Sequence, residues 1–391
     1  MPTNNNLILT IENSLEDFQK KGNLDLSLEY YNPNNYFDEV YFISYNPNDL
    51  KIKHNKDWLV VISPKYFNFL HKFKRKKIFF LFFSGFVYIY HIFNLIKIIK
   101  KNNIKIARTG HPYLMSFSLL LASKFSKIPF VSTIGGDNRL AQSKIGRYHI
   151  FNNKFISFFV EEFVLNRSDN VIVPNKYTAN YVRSISSQKN ITVLPLPLRN
   201  ELFYRLNDDV CMIEPEYFLF IGRLVGDKHP DFILELYIKF VENNPKTTKK
   251  LVIVGNGEMM DELKKRVIDS SLEDKVIFTG FLNTSEIIKY LEKNPICLIP
   301  ISGFVIYEAA IFGNMIITSD IEWHSEFIED GINGWVAKYL DINSWLEKLN
   351  YIECNLEDSK NKALKLKDKM KELKPENIYA QQIELYKKAV K

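Results

Sequence analysis

The sequence predicts an α/β chain of two domains, each built on a parallel β-sheet. Three observations carry this reading. Short apolar runs alternate with helical segments along most of the 391 residues, the pattern of strands joined by crossover helices. A chain of that length exceeds what one hydrophobic core usually organises. Finally, the stretch Pro295 to Val336 holds a complete βαβ unit. The run Ile296 to Ile299 reads as a buried strand stopped by Pro300, and a helical pattern carrying Glu308 ends at Gly313. A second run, Met315 to Ile317, ends at Ser319-Asp320.

Two features of that unit have chemical meaning. The backbone amides of Ser302, Gly303 and Phe304 fall at a helix start, where unpaired N–H groups face an anion. Glu308 is an acid in a mostly apolar helix, and burying a carboxylate is costly unless it is paired or binds something.

Composition narrows the classes. At 46% hydrophobic and 25% charged the chain is ordinary globular material. The formal charge of +7 suits an anionic ligand or an anionic membrane face, and no nucleic-acid motif accompanies it. Cys211, Cys297 and Cys354 are too far apart for a metal-ligand motif, and so few cysteines point to a reducing, cytoplasmic compartment. The polar, Asn-rich start carries no secretory pattern. No repeat of 20 to 50 residues is visible.

From the amino terminus, Asn6 to Ile11, Val40 to Ser44 and Trp58 to Ser63 read as strands. Ser14 to Lys21 reads as a helix stopped by Gly22, with Ser14 and Asp17 as a loose capping box. The stretch from Lys72 needs its own decision. Lys72, Lys74, Arg75, Lys76 and Lys77 form a basic cluster, and the 19 residues from Ile78 to Ile96 contain no Asp, Glu, Lys or Arg. Nineteen reaches the lower bound of a membrane span, but Tyr88, Tyr90, His91 and Asn94 interrupt it. Three readings stand: an aromatic-faced helix packed inside the first domain, which is favoured, a surface docking on anionic membrane, and a transmembrane helix.

Ile104 to Arg108 and Pro129 to Thr133 are strands leading into Thr109-Gly110-His111-Pro112 and Ile134-Gly135-Gly136-Asp137-Asn138-Arg139, with a helix from Tyr113 to Phe125 between them. Ligands gather at the carboxyl ends of parallel strands. His111 and Asp137 are therefore candidate catalytic residues, with Gly135, Gly136 and Asn138 in the acceptor or sugar vicinity. For Asp137 the competing reading is a local Asx bond in a glycine turn, and for His111 a structural histidine at a strand end. The strand around Val171 to Val173 is followed by Asn175 as a helix cap. Pro195 and Pro197 stiffen the run into the interdomain linker, and the domain boundary is placed between Leu196 and Pro215.

In the second half, Tyr217 to Gly222 is a strand, and Arg223 and Lys228 follow it before a helix from Pro230 to Val241. That placement suits two cations meeting a diphosphate. Gly255-Asn256-Gly257 at the end of the strand Leu251 to Val254 invites a dinucleotide reading, but Met260 stands where the third glycine belongs and the fingerprint fails. Lys275 to Thr279 is the next strand, followed by Gly280-Phe281-Leu282. His324, beside Trp323, reads as a solvated loop histidine, and the last helix as Ala380 to Lys388.

Taken together, Gly222-Arg223-Leu224, Lys228, Gly255-Asn256-Gly257, Glu308-Ala309, Gly313 to Ile317, Glu326 and Asp330-Gly331-Ile332-Asn333-Gly334 resemble family 4 of the retaining glycosyltransferases, group 1, over about Phe218 to Val336. Ser14-Leu15, Gly22 and Glu29-Tyr30 resemble bacterial polysaccharide-type members. The resemblance implies the GT-B fold, two Rossmann-like domains facing across a cleft. It divides the chain into an acceptor-side domain 1–196, a nucleotide-sugar domain 197–375 and a terminal helix 376–391 crossing back to the first. It implies that Arg223 and Lys228 bind the donor diphosphate, that Glu308 binds the ribose, and that the Gly280-Phe281-Leu282 turn abuts the nucleobase. Ser302 departs from the pattern: it stands where the family has a first Glu, two residues short of the usual spacing.

The reading that follows is a metal-independent hexosyltransferase with retention. It moves a sugar from a nucleotide-diphosphate sugar to a saccharide or lipid-linked saccharide, in polysaccharide or glycoconjugate synthesis. It needs no cofactor, does not engage nucleic acid, and works at the inner face of an anionic membrane. The alternatives are an inactive GT-B partner subunit, motivated by the missing Glu, and a sugar-nucleotide epimerase, for which no acid-base pair is evident.

Overall fold

A computed structural model describes residues 5–11, 14–20, 23–67, 77–145, 152–198, 200–207, 214–301 and 303–390. Lys72, Lys74, Arg75, Lys76, Cys211 and Ser302 lie outside them. The chain divides into two compact units, Met1–Pro197 with Glu376–Lys391, and Leu198–Pro375.

The first unit holds a parallel sheet of β1 (Asn6–Thr10), β2 (Glu39–Ile43), β3 (Leu59–Ile62), β4 (Ile104–Thr109), β5 (Phe130–Thr133), β6 (Asn170–Val173) and β7 (Ile191–Val193), in the order β3-β2-β1-β4-β5-β6-β7. The apolar runs are continuous because both faces are covered. In β1, Leu7 and Leu9 enter one core and Ile8 the other. On the Ile8 face lie the helices Lys77–Lys101, Leu114–Ser126 and Lys154–Arg167, which contribute Leu95, Leu119 and Val160.

The opposite face receives the last helix, Pro375–Val390, through Ile378, Leu385 and Tyr386. It starts before the expected Ala380. Its anchor is Arg108 of β4, which is fully buried. The guanidinium lies 4.4 Å and 4.9 Å from the ring centroids of Tyr30 and Tyr31 and donates to the Tyr386 hydroxyl, the Tyr30 carbonyl (3.3 Å) and Thr133 Oγ1 (3.3 Å). Gln382 Nε2 donates to the same carbonyl at 2.7 Å and to Tyr386 Oη at 2.8 Å. A desolvated cation over an aromatic ring gains about 2 kcal/mol, and the hydrogen bonds offset more of the cost of burying the charge.

In the second unit β8 (Tyr217–Ile221), β9 (Lys250–Val254), β10 (Val276–Gly280), β11 (Ile296–Ile299), β12 (Met315–Ser319) and β13 (Trp335–Ala337) form a parallel sheet ordered β10-β9-β8-β11-β12-β13. One face packs on Trp345, Tyr237 and Phe240, the other on Ile306, Ile311 and Leu366.

Two readings are sharpened and a third is met. Past the unit boundary the chain forms the helix Asn200–Tyr204, and Leu198, Leu202 and Leu206 are buried in the second unit's core. Leucines four apart at 198, 202 and 206 are a helix-face signal that the flanking prolines obscured. The apolar stretch after Lys76 forms one 25-residue helix, Lys77–Lys101. Ser84, His91, Leu95 and Ile99 face inward while Phe86, Ile89, Tyr90 and Phe93 are exposed, so from Ser84 onward the helix is covered on one side only. Among the described residues no helix is long and apolar enough to cross a membrane. The Ser14–Asp17 box forms as expected: Ser14 N donates to Asp17 Oδ2 (3.1 Å) and Asp17 N to Ser14 Oγ (3.0 Å).

Tyr386→Phe should lower the unfolding free energy by about 1.5–3 kcal/mol, the scale for a hydrogen bond to a charged group. Urea denaturation checks this. An unchanged midpoint would show that Arg108 does not anchor the last helix.

Candidate functional site

Strand order fixes where ligands can sit in each unit. In the second unit the chain winds outward from β8 through β9 to β10, then returns to β11 and winds the other way. The crossover helices on the two sides of that reversal leave by opposite faces, which opens a crevice at the carboxyl ends of β8 and β11. The two strands are neighbours, with Ile296 opposite Phe218 and Cys297 opposite Leu219.

The β8 side of the crevice is built from interlaced backbone. Gly222 N donates to Val254 O (3.0 Å), Leu224 N to Asn256 O (3.0 Å), Met259 N to Leu224 O (3.0 Å) and Gly255 N to Gly280 O (2.9 Å). Three successive loops are thus held by hydrogen bonds past their strand ends. A Cβ at Gly255 would lie 1.8 Å from Gly222 O, and the residue has φ +139°. A Cβ at Gly257 would lie 2.2 Å from Leu224 O. Both glycines are therefore required for contact with the Arg223 loop, a role distinct from the failed dinucleotide fingerprint.

On this platform Leu224 is buried while Arg223 is exposed, 3.4 Å from Asp227. Such an exposed pair is worth at most about 1 kcal/mol, so an incoming anion competes for the guanidinium at small cost. Gly226–Lys228 forms a 3-10 turn, with Lys228 N donating to Val225 O (2.9 Å). His229 follows at φ 54° and starts the helix Pro230–Asn243. Its Nε2 shares a 2.6 Å hydrogen bond with the Tyr339 hydroxyl. Tyr339 N in turn donates to Asp320 Oδ1 (2.7 Å). His229 and Tyr339 are 110 positions apart, and no local motif links them, so sequence reasoning passed over both.

The β11 side is the helix Phe304–Ile311, with Gly303 at its N-cap and no side-chain cap bond. Gly303 and Phe304 are exposed, whereas Glu308 is half-buried beside the buried Ala309. Tyr307 stacks on Trp323 (centroids 5.2 Å, interplanar 14°) and meets Phe327 edge-on, which fixes the rotation of the helix that carries Glu308. Burial raises the Tyr307 phenol well above its ordinary range.

The reading of His324 as a solvated loop residue is corrected here. It is fully buried in the short helix His324–Phe327, its Nδ1 2.7 Å from Thr318 Oγ1, while that hydroxyl donates to Ile299 O at 2.8 Å. The pair ties the ends of β11 and β12 together, a long-range contact with no sequence signal. The Asp330 to Gly334 motif is likewise structural. Asp330 accepts from Val336 N (2.9 Å) and Lys348 Nζ (2.8 Å), Asn333 Oδ1 accepts from Glu329 N (2.8 Å), and Gly331 has φ 71°.

The structure thus brings Arg223, Lys228, Gly303, Phe304 and Glu308 to the two loops flanking one crevice. Gly280 ends β10, two strands from β8, and Phe281 and Leu282 follow it, with Phe281 exposed and Leu282 packed toward the core.

In the first unit the same reversal falls between β1 and β4. His111 follows β4 there, stacked on Tyr113 (5.7 Å), and its carbonyl accepts from the Thr109 hydroxyl (3.0 Å) and that of Ser116. Asp137, Gly135 and Gly136 lie one strand over, after β5. Asp137 Oδ1 accepts from Leu140 N (2.8 Å), which is the local cap considered as its competing reading. Asn138 Nδ2 reaches Glu161 Oε1 (3.2 Å), a buried carboxylate that also accepts from Arg139 Nε (3.0 Å) and Tyr181 Oη (2.8 Å). Among the described residues no three His, Cys, Asp or Glu side chains converge as metal ligands would.

Comparison with known proteins agrees with this architecture. Residues 213–372 match the model for glycosyl transferases group 1, and residues 39–199 that for Glycosyltransferase Family 4. An uncharacterized glycosyltransferase of Methanocaldococcus jannaschii is 31% identical over 146 residues, 36% of this chain and 35% of that protein. A UDP-Gal:α-D-GlcNAc-diphosphoundecaprenol α-1,3-galactosyltransferase of Escherichia coli is 28% identical over 137 residues, 34% of this chain and 35% of that one. The chain spans about a third of the length of these curated relatives. In fold it is similar to HepE of Anabaena, solved in complex with UDP, with a TM-score of 0.73 and 12% identity over 98% of this chain and 100% of that one.

Gly255→Ala should force the Gly222 loop away and weaken nucleoside diphosphate binding at least tenfold (about 1.4 kcal/mol), with a lower melting temperature. Wild-type affinity and melting in this variant would contradict the interlaced-loop account.

Proposed function

The chain belongs to the family 4 glycosyltransferases, and on that premise we propose that it moves a hexose from a nucleotide-diphosphate sugar to a hydroxyl acceptor, with retention of configuration and without a metal. One observation carries the proposal: the loops flanking the β8/β11 crevice bear cations on one side and an uncapped helix start followed by an acid on the other. That pairing fits a nucleoside diphosphate. Arg223, Lys228 and the amides from Ser302 to Phe304 meet the diphosphate, and Glu308 accepts hydrogen bonds from the ribose hydroxyls. The exposed Phe281 turn lies on the nucleobase side.

The chemistry follows from where charge develops. As the bond from the anomeric carbon to the diphosphate breaks, negative charge grows on the leaving oxygen. Fixed cations and amides stabilise it more in the transition state than in the ground state. Two side-chain cations fill the role that a divalent ion would otherwise take at a diphosphate.

The acceptor side is assigned to the first unit. His111 at the β1/β4 reversal and Asp137 one strand away are the candidate catalytic groups, with Gly135, Gly136 and Asn138 shaping the surroundings. A lipid-linked saccharide is the proposed acceptor, in line with the GlcNAc-diphosphoundecaprenol for which the Escherichia coli relative is named. Contact with the anionic inner face of a membrane belongs to the same reading.

A panel of UDP- and GDP-hexoses, assayed for transfer onto lipid-linked saccharide extracts, tests this. An α-configured donor should give an α-linked product by NMR, EDTA should leave the rate unchanged, and Lys228→Ala should lower kcat/KM by about 10²–10³-fold. An inverted product would contradict retention, and loss of activity in EDTA would contradict metal independence.

A further inference from the structure

The helices over the Ile8 face of the first sheet expose more aromatic surface than their own packing explains. On the helix Lys77–Lys101, Phe86 (60% exposed), Ile89 (55%), Tyr90 (55%) and Phe93 (59%) form one stripe. Their spacing places them on a single helix face, and Lys97 and Lys100 continue it. On the helix Lys154–Arg167, Phe155 (82%) and Phe159 (65%) are exposed four residues apart. Both helices pack against Leu114–Ser126. Phe159 meets Phe163 (6.0 Å), and Phe163 meets Phe117 of Leu114–Ser126 (5.2 Å). An exposed apolar surface of this extent marks an interaction site.

The charge around the stripe selects the partner. These three helices carry seven Lys and Arg against two acids, Glu161 and Glu162, and Glu161 is buried in its hydrogen-bond network. Aromatic side chains interleaved with lysines suit the headgroup boundary of an anionic bilayer: rings enter the interface and lysine stems lie flat with their ammonium groups on phosphate.

Placement adds a second argument. A helix of 25 residues is about 37 Å long, whereas a strand of six residues spans about 20 Å, so Lys77–Lys101 outruns the sheet beside it. It follows β3 and precedes β4, so its first half stands at the carboxyl edge, the edge where His111 and Asp137 lie. Just past the midpoint of the helix its inward face is pinned by His91, whose ring nitrogens are hydrogen-bonded by the Tyr45 hydroxyl (2.9 Å) and that of Tyr66, from the loops after β2 and β3. Burial lowers the His91 pKa to about 4, so the clamp stays neutral near pH 7 and leaves the outward face fixed.

We propose that the outer faces of Lys77–Lys101 and Lys154–Arg167, both packed against Leu114–Ser126, dock on an anionic lipid bilayer and present the acceptor edge of the first sheet to lipids in that bilayer. This rests on the lipid-linked acceptor reading and names the surface that serves it.

Flotation of the full chain tests it, using phosphatidylethanolamine vesicles with and without phosphatidylglycerol. The wild type should float with the phosphatidylglycerol vesicles and not with the others. Lys97→Ala/Lys100→Ala should lower the partition coefficient at least tenfold, and Phe86→Ser/Phe93→Ser should abolish flotation. Nucleoside diphosphate binding, measured on the same samples, should be unchanged, which separates failure of this surface from failure of the donor site. Should the serine variant not fold, Tyr90→Trp supplies an independent readout: its added fluorescence should be quenched by brominated lipid. A wild type that stays in the soluble fraction, a tryptophan at position 90 that is not quenched, or lipid-independent dimerisation through this face would overturn the proposal.

Discussion

The reversal of strand order between β8 and β11 is the constraint from which the rest of the candidate site follows. A parallel sheet needs right-handed crossovers, so strands added on either side of β8 send their helices to opposite faces. The loops at that point cannot be bridged by a helix and remain open. The groups assigned to the diphosphate and ribose flank the opening: Arg223 and Lys228 follow β8, and Gly303 and Glu308 lie at the start of and within the helix after β11. The hydrogen bonds from Gly222 and Leu224 to the β9 loop hold one wall in place, and the Tyr307–Trp323 stack holds the other. Both walls are set by backbone and aromatic contacts.

Much of this was legible in sequence because it is local. A strand followed by a polar turn and an apolar helix appears in any window, and so do the elements of the βαβ unit from Ile296 to Ser319. The capping pair Ser14–Asp17 and the cap at Asn175, whose side chain accepts from Thr178 N at 2.8 Å, follow the same rule. What escaped was non-local. His324 looked solvated because its partner, Thr318, belongs to the preceding strand, and Tyr339 reaches His229 across the unit. The glycines at 255 and 257 fit a failed dinucleotide fingerprint in the sequence, and the adjacency of the β8 and β9 loops is what shows that backbone requires them.

The first unit shows a related division. Its strands and the turns at His111 and Asp137 were legible, yet Arg108 was read as part of an ordinary strand end. Its burial among Tyr30, Tyr31 and Tyr386 joins residues from three distant segments. The apolar stretch after Lys76 was ambiguous for a different reason: composition cannot say which face of a helix is covered. The inward His91 and the outward Phe93 are two residues apart and equally compatible with a core. Only the loops after β2 and β3 decide between them.

The central claim is that the β8/β11 crevice binds the donor's diphosphate, and calorimetry tests it most directly. UDP, GDP, ADP and CDP would be titrated into the full chain and into Lys228→Ala. The account predicts binding of one nucleotide, weakened by about 1.5–3 kcal/mol in the variant as for a lost charged hydrogen bond. A folded protein that binds none of the four, or a variant that binds as tightly as the wild type, would contradict it.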